Sequence, residues 1–168
     1  AARNVQIVDR DSIELGTANV EGTYKVTAGG AVTNSSGQGA LTITGATTIQ
    51  AKSGSTYYDV TLDHADSDFT GSVSITGEDV AVLDATAIVL GTSTATGTYQ
   101  VTTTNGDITN DGDLTITGGA TFTSGTTGKS IELGSAGNAF SSWVKMKADT
   151  AGDEAFGNIE FVDSGPVT

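Results

Sequence analysis

The chain has 168 residues, of which 23 are Gly, 29 Thr and 15 Ser, so about two positions in five are small or hydroxylated and long helices are excluded. A 36% apolar content and a mean hydropathy of -0.05 exclude a disordered Gly/Ser linker, and no stretch approaches the roughly 18 apolar residues of a membrane helix. Seven Lys and Arg against twenty Asp and Glu give -13, which argues against nucleic acid and anionic membranes as partners, and the absence of Cys removes disulfide, zinc-thiolate and thiol chemistry.

In chain order the apolar residues alternate with polar ones at Val5/Ile7, Ile13/Leu15, Tyr24/Val26, Leu41/Ile43, Val60/Leu62, Val73/Ile75 and Val80/Val82. Each pair is separated by one residue and so falls on one face of an extended strand, which predicts short, half-buried strands. Between them lie turn-forming pieces that tolerate positive φ, such as Ala28-Gly-Gly30, Asn34-Ser-Ser-Gly37, Asn105-Gly-Asp107 and Asn110-Asp-Gly-Asp113. No segment keeps helical spacing over two turns.

The strands then repeat. Ile13-Glu-Leu15-Gly16-Thr17 with Gly22-Thr23-Tyr24 returns as Ile88-Val-Leu90-Gly91-Thr92 with Gly97-Thr98-Tyr99, an offset of 75. Leu41-Thr-Ile43 returns as Leu114-Thr-Ile116, and Val60-Thr-Leu62 with Phe69 and Val73 returns as Ile131-Glu-Leu133 with Phe140 and Val144. Val5-Gln-Ile7-Val8-Asp9 matches Val80-Ala-Val82-Leu83-Asp84, and Ile159-Glu-Phe161-Val162-Asp163 opens the pattern again. The organisation is therefore two modules, 4–78 and 79–157, and the start of a third at 158–168 in a single all-β unit.

Strand starts every 8 to 11 residues fit either tandem immunoglobulin-like β-sandwiches or a parallel β-solenoid. Short strands, no Trp in each copy and no Pro between the modules favour the solenoid. Its expected build is about nine strands and three coils of about 25 residues per module, six or seven coils in all. The expected inward residues are Ile13, Leu15, Val26, Leu41, Ile43, Val60, Leu62, Ile75, Ile88, Leu90, Val101, Ile116, Leu133 and Ile159.

The run from Asp59 to Gly77, followed by Asp79-Val-Ala-Val-Leu-Asp84, Ala87-Ile-Val-Leu90-Gly91-Thr92 and Leu114-Thr-Ile-Thr117-Gly118, resembles the tandem repeats of very large bacterial surface adhesins of the filamentous-haemagglutinin type. The resemblance spans nearly the whole chain and departs from the pattern at Ser142-Trp143-Val144-Lys145-Met146-Lys147, where bulky and basic residues replace small polar ones. It implies a long parallel β-helix, right-handed in agreement with the usual crossover preference. It also implies an extracellular or cell-surface, structural and adhesive role in a surface, matrix or biofilm filament.

Few residues carry chemistry. His64, in Asp63-His64-Ala65-Asp66-Ser67-Asp68, has Ser135 as its counterpart and reads as a polar turn rather than a base. Asp107, Asp111 and Asp113 supply clustered hard oxygens and are the candidate Ca²⁺ ligands, set against solvated turns. Trp143 with Lys145 is the candidate contact for a host or matrix glycan, set against a packing plug at a coil corner. Thr42-Ile-Thr44, Thr115-Ile-Thr117 and Thr121-Phe-Thr123 resemble ice-binding rows, but the intervening strands interrupt them. A polysaccharide-active β-helix enzyme would need clustered carboxylates with Arg or Lys on one face, and no such set is present in the sequence, so no enzymatic activity is expected. Neither end reads as a polar cap, so the expected partners are more copies of the same repeat, in a longer chain or stacked end to end.

Overall fold

A computed structural model describes residues 1–148 and 157–165. It contains 22 short strands: β1(Val5–Asp9), β2(Ile13–Glu14), β3(Ala18–Val20), β4(Tyr24–Ala28), β5(Val32–Asn34), β6(Leu41–Ile43), β7(Thr47–Ser53), β8(Thr56–Tyr57), β9(Val60–Leu62), β10(Asp68–Phe69), β11(Val73–Gly77), β12(Val80–Asp84), β13(Ile88–Leu90), β14(Ser93–Ala95), β15(Tyr99–Thr103), β16(Ile108–Asn110), β17(Leu114–Ile116), β18(Ala120–Ser124), β19(Ile131–Leu133), β20(Ala139–Phe140), β21(Val144–Ala148) and β22(Ile159–Phe161). Apart from the hairpin of β7 and β8, they pair in parallel with strands one coil away, so the chain is a parallel β-solenoid of about seven turns. Leu41 and Leu114 lie in such parallel stacks, which excludes the sandwich alternative.

Three faces result. The first stacks β1-β4-β7-β11-β14-β17-β20 and the second β2-β5-β9-β12-β15-β18-β21. The third stacks β3-β6-β10 and then β13-β16-β19-β22, and Leu90 at the end of β13 pairs with Val73 of β11 at the corner with the first face. Coils range from 17 residues, Val73 to Leu90, to 28, Val32 to Val60, because turns of different length join the stacked strands.

The module does not hold three coils as expected; it holds ten solenoid strands, β1 to β11 without β8, and β12 to β21 repeats them in order. Ten strands on three faces make three coils and a third. Equivalent strands therefore advance by one face per module: β1 stands on the first face, β12 on the second and β22 on the third. At the usual inter-strand spacing one module rises by about 16 Å.

The core is the inside of this tube. Of the expected inward residues all but two are buried, with exposures of 3% or less. Ile13 is half-buried and Ile159 is 52% exposed, because each belongs to a terminal coil that is covered on one side only among the described residues. Large side chains stack on small ones, Tyr24 on Thr47 and Tyr99 on Ala120, and rings run down the axis from Tyr99 to Phe122, Phe140 and Phe161 at centroid distances of 6.1, 6.3 and 5.3 Å. At one corner Gly22, Gly45 and Gly71 stack directly: a Cβ on Gly45 would lie 2.3 Å from the Gly22 carbonyl oxygen. Gly97 and Gly118 continue the pattern one face on, and Ser142 ends it.

Candidate functional site

The corners carry the buried polar groups. Where β5 turns, Asn34 is buried and donates through Nδ2 to the carbonyls of Leu15 and Gly39, while Leu41 N–H donates to Ser67 Oγ. The second module repeats this with Asn110 and Asn138: Leu114 N–H donates to Asn138 Oδ1, which also accepts from Asn110 Nδ2. These side chains satisfy backbone groups that a bend leaves unpaired, so their burial is structural.

Asp84 is the one buried acid among the described residues. Its Oδ2 accepts from Phe69 N–H at 2.9 Å and its Oδ1 from Thr86 N–H at 2.7 Å. Burial pushes its carboxyl up to about 6, the two amides pull it down, and nearby Asp68 adds a smaller upward push. Asp68 shares the Thr86 hydroxyl with it, so the pair forms a corner rather than an open acidic cleft.

The candidate calcium ligands are not brought together. Asp107 precedes β16, with its Oδ1 accepting from Ser130 N–H, whereas Asp111 and Asp113 follow that strand at the next corner. The Asp113 carboxylate packs against Gly137 one coil on. Among the described residues no three His, Asp or Glu side chains form a group able to hold a metal ion. His64 sits in the turn between β9 and β10, where its Nδ1 accepts from Asp66 N–H, the polar turn expected for it. Of the three Thr-x-Thr segments, Thr42 stands on the third face, Thr115 on the first and Thr121 on the second, so they form no common row.

Trp143 is 58% exposed, and its indole lies over Gly119 of the preceding coil, where a Cβ would meet the ring at 2.2 Å. It borders a cavity of about 510 Å³ at the end of the last coil, lined also by Phe140, Ser142, Val144, Met146, Phe161 and Asp163. Lys145 is on β21 but points outward from the second face, in line with Thr121, and does not line this cavity. The sequence pairing of Trp143 with Lys145 therefore separates into an end-facing ring and a side-facing ammonium. The participation of Phe161 and Met146 was not singled out by sequence, although the alternation at Val144/Met146 and the third start at Ile159 carry it.

Stacked coils, buried corner amides and a tandem ten-strand unit define a β-solenoid repeat protein. The chain belongs to the family described as Repeats of unknown function (DUF5649), whose model matches it twice, over residues 2–76 and 77–147. No curated protein and no solved structure matches the chain. Among the described residues no helix is long and apolar enough to cross a membrane.

Proposed function

We propose that the chain is a structural and adhesive segment of an extracellular bacterial surface or matrix filament protein, without enzymatic activity. The observation that carries this reading is the junction between the modules. β12 stacks on β9 through Val60↔Val80, Thr61↔Ala81 and Leu62↔Val82, with the same parallel bonding as any other coil, so one module passes load to the next without a linker. The outward positions of the second face, among them Glu14, Thr33, Thr61, Gln100 and Thr121, are polar except for Ala81 and Leu83 of β12, which suits a solvated shaft. The adhesive part of the reading, with a host or matrix glycan as partner, rests on the resemblance of the repeats to large surface adhesins and on the exposed ring of Trp143.

Antibodies raised against the folded chain test the location. Labelling of intact producing cells, abolished by surface proteolysis, is expected; labelling only after lysis would defeat the proposal. A glycan array read with the wild type and with Trp143→Ala tests the adhesive part.

A further inference from the structure

The cavity beside Trp143 is the repeat image of a place that is filled elsewhere in the chain. Its lining residues Phe140, Ser142, Trp143, Val144, Met146, Phe161 and Asp163 correspond to Phe69, Gly71, Ser72, Val73, Ile75, Val82 and Asp84. In the first set of equivalents the apolar members are buried, and what covers them is the segment from Ala85 through β13 and β14. Val73 pairs with Leu90, Gly91 N–H donates to the Val73 carbonyl, Ile75 N–H donates to Ser93 Oγ, and Thr76 pairs with Thr94. A Cβ on Gly91 would lie 2.4 Å from the Ser74 hydroxyl and 3.6 Å from the Ser72 side chain, so that glycine sits against the position equivalent to Lys145 and in van der Waals reach of the one equivalent to Trp143.

The first contacts of the same junction are already made at the end cavity. β22 stacks on β19 through Ile131↔Ile159 and Leu133↔Phe161, as β12 does on β9, and Phe140 N–H donates to Asp163 Oδ1 as Phe69 N–H does to Asp84. What differs is cover: Phe161 is 37% exposed where Val82 is 3% exposed, and Val144 and Met146 are only half-buried. We propose that this cavity is the seat for the second and third strands of a further module of the same repeat, entering one face on from the module before. The occupant is thus a segment of the kind Ile88–Ala95, with a leucine set against Val144 and a glycine between Lys145 and Trp143. The proposal rests on the structural reading above and names the partner of its open end.

The test extends the full chain after Asp163 with a second copy of residues 85–148, so that Asp163 is followed as Asp84 is. Trp143 is the only tryptophan of the chain, and it stays so and reports directly when each appended copy that spans this position carries Trp143→Ser. Its emission is expected to shift to the blue and its quenching by iodide to fall several-fold, with the added residues resistant to protease. A shorter extension, residues 85–96 alone, needs only to add strands to the existing coil and is expected to shield Trp143 as well. An extension beginning at residue 99, which omits the equivalents of β13 and β14, is expected to leave Trp143 quenched as in the unextended chain. Unchanged Trp143 emission in both in-phase extensions would overturn the proposal, and so would equal shielding by the out-of-phase one. Trp143-dependent glycan binding that persists in the extended chain would assign the cavity to a saccharide instead. None of these results bears on cellular location, which the antibody experiment decides separately.

Discussion

Asp84 reaches back one coil to accept the backbone amide of Phe69 through Oδ2 at 2.9 Å, while its other oxygen closes a turn with Thr86. The same turn follows the first strand of each module start, with Asp11 N–H on Asp9 and Gly165 N–H on Asp163, so one aspartate marks each start at three successive corners of the tube.

The consequence for pH is specific. The Asp84 carboxyl is raised from 3.8 to about 6 in the fold, so the folded state holds this proton more tightly than the unfolded chain. The associated stability is fully present below about pH 4 and is lost as pH rises through 6, a change of at most about 3 kcal/mol. Melting curves of wild type and Asp84→Asn between pH 4 and 7.5 should show a slope in the wild type that shrinks in the variant. Parallel curves would refute the assignment.

The glycine column sets the closest approach of successive coils. Gly45→Ala would place a methyl 2.3 Å from the Gly22 oxygen, and its nearest neighbours are all Gly22 backbone, so no flexible side chain can yield. A loss of more than about 2 kcal/mol is expected in urea unfolding. Gly37→Ala, with nothing within 4 Å, should stay within about 0.5 kcal/mol.

Tyr99 is the largest of the fully buried side chains. Burial pushes its phenol up to about 12, with the Ser93 hydroxyl pulling weakly the other way. That hydroxyl accepts from Ile75 N–H and donates to the Gly91 carbonyl, and Tyr99 Oη itself has no well-formed hydrogen bond. Removing an unsatisfied buried hydroxyl recovers its desolvation cost, and Tyr99→Phe is expected to be neutral or to gain about 1 kcal/mol. A loss beyond 1 kcal/mol in the same assay would show that the hydroxyl is bonded.

Calcium offers a further check. Asp107 stands before β16 and Asp113 after it, and no group of three acidic or His side chains able to hold an ion forms among the described residues. Millimolar Ca²⁺ against chelator should leave the melting temperature unchanged by calorimetry. A rise of several degrees, lost in Asp111→Asn, would restore the site.

Much of the solenoid was legible because alternation with period two survives in isolated triplets: Leu41-Thr-Ile43 and Leu114-Thr-Ile116 place two apolar chains inward whatever their neighbours do. The count of strands per module was not legible. β3 and β14, Ala-Asn-Val and Ser-Thr-Ala, carry too little apolar contrast, and β5 ends on Asn34, whose polarity conceals that it points inward to serve the backbone. One missed strand in ten changes the rotation between modules from none to a third of a turn. For the end cavity, Trp143 stood out by composition, but its partners come from three faces, a proximity that only the coiling creates.

That third of a turn also governs what selection can do with the outer surface. A substitution on the first face of one module acquires its duplicate on the second face of the next and on the third face after that, as Gln6, Ala81 and Glu160 already do. Copying such a module cannot draw a stripe along the shaft; it winds each trait around it like the thread of a screw, recurring on the same side only about every 48 Å. A shaft built by this rule has no front or back, and whatever one module offers sideways is offered in three directions.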